Sequence, residues 1–179
     1  CIEGRGYGRY PGASGKWLFS SGREKSLPDR RRYRYSSYAA AGKGVCALNG
    51  SEMVQSVIGY RDSQLFLKDE FKAYGPVYTA TEDGSRGTKG NVLDAIRENG
   101  LTADVIYACG PTPMLRALKA YAAENNIQCW ISLEEKMACG VGACLACVCQ
   151  SKEKDEHSQV HNKRICKDGP VFLADEIEL

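Results

Sequence analysis

A chain of 179 residues with 43% hydrophobic and 26% charged content has the make-up of a globular protein long enough to bury a core. Its net charge of +2 hides a split: residues 1–44 carry ten Lys/Arg against three Asp/Glu, and the remainder fourteen against nineteen. No apolar run approaches the ~18 residues of a transmembrane helix, and the N-terminus has no apolar signal core, so the expected setting is cytoplasmic with no membrane partner.

The chain opens on Cys1 rather than Met, which marks it as a fragment or a processed product. Residues 1–46 form an anomalous basic segment, expected to be poorly ordered. Its centre, "DRRRYRYSSYAAAGKG" (Asp29–Gly44), has no helical or strand period. From about Leu48 the pattern becomes regular. "MVQSVIGYRD" (Met53–Asp62) predicts a buried strand, and "SQLFLKDEFKAYG" a helical stretch with Leu65, Phe66, Leu67 and Phe71, closed by Gly75. A second strand is predicted at Val77–Thr81, running into the polar turn "EDGS". In "GNVLDAIRENG", Asn91 is the N-cap, Val92, Leu93 and Ile96 share one face, and Gly100 ends the helix. "ADVIYACG" is a third strand ending at Cys109. "PTPMLRALKAYAAENN" is a helix capped by Thr112 with Pro113 at its first position, and "IQCWISLEE" is a fourth strand. Strands alternating with helices imply an α/β fold with a parallel sheet. "QSKEKDEHSQVHNK" (Gln150–Lys163) reads as a solvated loop.

Four of the nine cysteines fall between Cys139 and Cys149. Such crowding in a cytoplasmic chain favours a metal or cofactor over disulfides. Cys139, Cys144 and Cys147 have the spacing C-x4-C-x2-C, and Cys166 follows at a distance, which is the plant-type [2Fe–2S] pattern. A cluster needs four deprotonated sulfurs converging from a tightly wrapped loop. Gly140 and Gly142 permit positive φ, while Ala138, Ala143 and Ala146 let backbone N–H groups approach the sulfurs. One alternative is a zinc site of Cys144, Cys147, His157 and His161, although the gap between Cys147 and His157 is short for a finger. Another is a Cys144/Cys147 redox dithiol, which lacks the expected strand-to-helix setting. Cys149 and Cys129 read as packing residues, and both histidines as exposed.

The motifs "GYRD", "TEDGSRGTKGNV", "YACGPTPML", "SLEEKMACGVGACLACVC" and "KRICKDGPVF" resemble, in order, the electron-transfer subunit of type B dihydroorotate dehydrogenase. The resemblance covers about residues 48–179. It implies an incomplete ferredoxin-reductase-like nucleotide-binding domain over 47–127 and a small [2Fe–2S] domain over 128–179. It also implies FAD, NAD as electron acceptor, and an FMN-containing dihydroorotate dehydrogenase catalytic subunit as partner in a heterotetramer of pyrimidine synthesis. Cys139, Cys144, Cys147 and Cys166 match the family's cluster ligands, and Cys109, Gly110 and Pro111 its motif near the nicotinamide. Ligands of open α/β sheets bind beyond the strands' carboxyl ends, so Gly110 leaves room for a flat ring, and the helix N-terminus at Thr112–Met114 can face phosphate. Asp83 and Gly84 end another strand on the same edge. For that turn the ordinary alternative is a polar loop. Rival functions are a subunit of a related ferredoxin–NAD(P) or sulfide reductase and, in a different class, a zinc-stabilised nucleic-acid-binding module.

The resemblance fails at the N-terminus. The family's β-barrel has no counterpart, and "DRRRYRYSS" stands where a glycine-rich "GGGIG" turn belongs. Written as CGG CGG CGG TAT CGG TAT and shifted one base, Arg30–Tyr35 reads Gly-Gly-Gly-Ile-Gly, and the same shift extends through the flanking stretches. The favoured reading is therefore translation out of frame up to about Gly44, rather than a basic arm for nucleic acid. It predicts that the first strand and helix of the sheet are lost and that FAD and NAD bind weakly or not at all. Coding DNA whose codons forbid the shifted reading would establish the basic segment as genuine.

Overall fold

The computed structural model describes the backbone of residues 17–21 and, in full, residues 54–65, 68–154 and 159–179. Among the described residues the strands are β1 (Trp17–Ser21), β2 (Val54–Tyr60), β3 (Val77–Thr81), β4 (Thr88–Lys89), β5 (Val105–Cys109), β6 (Gln128–Ser132), β7 (Val148–Gln150), β8 (Asn162–Arg164) and β9 (Val171–Leu173). The helices are α1 (Lys68–Lys72), α2 (Val92–Glu98) and α3 (Thr112–Glu124), with a short 3-10 turn at Ala174–Glu176.

Seven strands form one sheet in the order β4-β3-β2-β1-β5-β6-β9. All pairs are parallel except β6 with β9. The α/β class with a parallel sheet follows the alternation of strand and helix patterns. The predicted loss of the first strand does not. Trp17–Ser21 pairs with β2 on one side (Trp17 with Val54) and with β5 on the other (Trp17 with Val105). Without it the sheet would split between β2 and β5, leaving two rows of backbone donors and acceptors unpaired. An apolar run such as "WLF" is suited to fill that slot. The Arg30–Tyr35 stretch, and with it the expected loss of the first helix, lies outside the described residues.

Each helix closes as its terminal residues dictate. The Asn91 side chain accepts from Leu93 N (2.8 Å) and Asp94 N (3.2 Å), and Asp94 Oδ2 accepts from Asn91 N (2.8 Å), completing a capping box. Gly100, at φ +57, lets the chain turn after α2. At α3 the cap is Pro111 rather than Thr112, which is already the first helical residue. The pre-proline position of Thr112 did not end the helix, because a proline in the first turn forfeits no intrahelical bond. Helix α1 is shorter than the apolar pattern suggested. It spans Lys68–Lys72 and buries Phe71, while Phe66 and Leu67 lie outside the described residues.

The core runs through both expected domains. Val57, Ala80, Ile96, Ile106, Leu115, Leu118 and Ile131 pack between the sheet and α2 and α3, and the same cluster includes Cys147, Ile165, Phe172, Ala174 and Ile177. Strand β6, placed by sequence at the head of a separate domain, is an interior strand of the sheet, and β9 adds to it from the C-terminal segment. The Gln150–Lys163 stretch is not wholly a loop: its ends pair as an antiparallel hairpin, Gln150 with Asn162. The cysteine-rich segment is thereby anchored on the sheet edge.

Candidate metal centre

Residues 133–147 connect β6 to β7 without regular structure, and their geometry is set by sulfur rather than by a backbone ladder. Cys139 Sγ accepts the N–H of Val141 (3.4 Å) and of Ala143 (3.3 Å). The loop can curl this tightly because Gly140 and Gly142 sit at φ +69 and +83. The Val141 amide, followed by the amide and thiol of Cys144 and the Ala143 amide, holds the Cys139 thiol down at about 6. Backbone dipoles thus favour a thiolate at an exposed position.

Cys147 and Cys166 approach from the other side. Cys147 is buried at 3% exposure, where its Sγ accepts the Cys166 N–H (3.4 Å) and its carbonyl accepts the Ile165 N–H (2.9 Å). A hydrogen bond to the Cys147 thiol, together with burial, pushes the half-buried Cys166 thiol up. The Gly142 amide acts on Cys166 in the opposite direction. Backbone amides thus converge on two of the sulfurs, those of Val141 and Ala143 on Cys139 and that of Cys166 on Cys147.

Among the described residues no group of three or more His, Cys, Asp or Glu side chains stands arranged to hold a metal ion. The four cysteines of the loop and its neighbouring turn are nevertheless, in type and spacing, the donor set of a plant-type binuclear cluster. His161 is exposed, with Nδ1 2.8 Å from the Lys152 carbonyl, and His157 lies outside the described residues. Cys147 has Cys166 as its partner, not His161. Burial pushes the Cys129 thiol up to about 12, and half-buried Cys149 donates to the Lys163 carbonyl (3.4 Å), so both are packing residues.

The residues expected to contact nucleotide lie at one sheet edge. Ser21, Cys109 and Ser132 stand in register at the ends of β1, β5 and β6, as do Tyr60 and Thr81 at the ends of β2 and β3. Asp83 and Gly84 follow β3. The Asp83 carboxylate accepts the Ser85 N–H (2.9 Å), and the Ser85 hydroxyl and amide hold it below the usual carboxylate range. Cys109, 5% exposed, ends β5, Gly110 turns at φ +151, and Pro111 starts α3. Met114 N–H is committed to the Pro111 carbonyl (3.0 Å) and Pro113 has none, which narrows the expected anion site at this helix to the Thr112 amide.

Two features were missed by sequence reading. Leu145 adopts φ +56, a left-handed conformation that no glycine signalled. Arg164 and Asp168 bracket Cys166 and join their side chains at 3.2 Å. The charges on either side of the cysteine in "KRICKDG" were the available sign.

Comparison with known proteins bears directly on this segment. Residues 134–178 match the iron–sulfur cluster binding domain of dihydroorotate dehydrogenase B. A longer stretch of the chain is similar to electron transfer subunits of dihydroorotate dehydrogenase B. It is 47% identical over 128 residues to the NAD⁺-type electron transfer subunit of Fusobacterium nucleatum, covering 69% of this chain and 46% of that protein. The corresponding subunit of Geobacillus sp. strain WCH70 is 46% identical over 128 residues, covering 71% and 48%, and that of Bacillus caldolyticus 49% over 127, covering 70% and 47%. The chain thus spans about half the length of these curated relatives. In fold it is similar to an NADH-dependent reduced ferredoxin–NADP oxidoreductase studied for flavin-based electron bifurcation. That likeness has a TM-score of 0.71 at 23% identity, over 91% of this chain and 53% of the other. Among the described residues no helix is long and apolar enough to cross a membrane.

Proposed function

We propose that this chain is the cluster-bearing part of an electron transfer subunit that links an FMN-containing dihydroorotate dehydrogenase catalytic subunit to NAD, in pyrimidine synthesis. The observation that carries the proposal is the match of residues 134–178 to an iron–sulfur cluster binding domain, a segment in which backbone amides converge on Cys139 and Cys147. These four residues are assigned as the ligands of a [2Fe–2S] cluster. When bound, such a cluster supplies one-electron storage between two-electron carriers. The chain's own part is to present the four sulfurs and to direct backbone amides at two of them, those of Val141 and Ala143 at Cys139 and that of Cys166 at Cys147.

The carboxyl edge of the sheet is assigned to NAD. Gly110 removes a Cβ from the end of β5, and Cys109, Pro111, Asp83 and Gly84 line the same edge. FAD is carried over from the family, and the segment where its glycine-rich turn is expected lies outside the described residues. A heterotetramer with the catalytic subunit is likewise the family expectation.

The test is anaerobic mixing of the full chain with the FMN catalytic subunit and dihydroorotate. The cluster's visible absorption is expected to bleach only when both are present. A cluster reduced by dithionite but indifferent to dihydroorotate and the subunit would overturn the assignment of partner, and favour a related reductase.

A further inference from the structure

The two loops that carry the cysteines are joined by more than sulfur. Asp168 Oδ2 accepts both the Arg164 backbone N–H (2.7 Å) and its Nε–H (3.2 Å), so one carboxylate fixes the arginine at two points. The turn itself is closed by Lys167 N and Asp168 N donating to the Arg164 carbonyl (3.1 and 2.7 Å). Both side chains are largely shielded, at 19% and 30% exposure, so this pair is less screened than a surface ion pair. Held in this way, Arg164 Nη1 donates across to the Gly142 carbonyl at 3.5 Å. The two loops approach so closely there that a Cβ on Gly142 would crowd Lys167 Cδ at 3.0 Å.

The peptide that receives the guanidinium has its other end on a sulfur. The Gly142 carbonyl and the Ala143 N–H belong to one amide plane, and that N–H donates to Cys139 Sγ at 3.3 Å. A cation on the carbonyl polarises the amide and strengthens the N–H as a donor, as in any hydrogen-bonded chain. Hydrogen bonds to sulfur and nearby charge are the means by which a protein tunes an iron–sulfur centre.

We propose that Arg164, oriented by Asp168, is a positioning residue that raises the reduction potential of the centre through the Gly142–Ala143 peptide. The inference rests on the cluster assignment above. Each electron taken up adds one negative charge to the site. The arginine stabilises that added charge, and the carboxylate, while orienting the arginine, partly offsets it. Neutralising the two residues therefore has opposite consequences.

The experiment is an anaerobic dithionite titration of the full chain with redox mediators, followed by visible absorption and by EPR. Arg164→Met is expected to lower the midpoint potential, Asp168→Asn to raise it, and Arg164→Lys to lie between wild type and Arg164→Met. If Arg164→Met does not retain its cluster, Asp168→Asn and Arg164→Lys still read the two opposite signs. A purely structural clamp would move all three variants the same way. That result, or potentials equal to wild type, overturns the inference while leaving the cluster assignment in place. A wild-type protein that holds no cluster overturns the assignment and the inference together.

Discussion

Cys129 and Cys139 differ only in what surrounds their sulfurs, and that difference separates a packing residue from one proposed as a ligand. Cys129 is 4% exposed in the core on β6, where burial pushes its thiol up to about 12. Cys139 is exposed and surrounded by amides that favour the thiolate. Cys129 binds its proton more tightly folded than unfolded. Its contribution to stability is therefore complete below its ordinary value of 9.0 and is lost as pH rises toward about 12. Cys129→Val, which keeps the volume, is expected to flatten the alkaline limb of stability between those values in urea melts at stepped pH. An unchanged limb would show that the thiol does not drive it. The four cysteines proposed as ligands are picked out in the sequence by their spacing, because cluster geometry restricts spacing so severely. The sequence did not disclose Leu145 in the left-handed region, or the reach of Arg164 to Gly142, since both depend on how two loops distant in sequence come together.

Elements were legible wherever local chemistry decides them. Asn91, Asp94 and Gly100 delimit α2 as their side chains and φ preferences require, and Val77–Thr81 is the strand its alternation suggested. Asn91→Ala removes the acceptor for two amides and is expected to cost about 1 kcal/mol in chemical denaturation. A loss near zero would mean that water replaces the cap. Leu118, fully buried on α3, is a contrasting case: Leu118→Ala is expected to cost roughly 2–5 kcal/mol, because the sheet and α2 cannot collapse onto the space. Elements defined by partners were not legible. Strand β1 exists because β2 and β5 both need a neighbour, and the β7–β8 hairpin stands in a stretch whose polarity suggested only solvent.

At the scale of the molecule, one core runs from α2 and α3 through β6 to Phe172 and Ile177, so the sheet and the turns around Cys147 and Ile165 share it. Arg116 Nε donates to the Leu179 carbonyl (2.6 Å) and Lys119 Nζ to the Ile177 carbonyl (2.5 Å), tying the last residues to α3. Such continuity suits electron transfer, where fixed distances between carriers matter more than motion. Central to the proposed function is a [2Fe–2S] centre held at Cys139, Cys144, Cys147 and Cys166. The most direct measurement is iron and acid-labile sulfide in the anaerobically purified full chain, beside Cys166→Ala. The expected result is a brown wild type with the two in equal amounts and a variant that loses both. A colourless wild type loaded with zinc, or a Cys166→Ala variant with undiminished iron and sulfide, would contradict it.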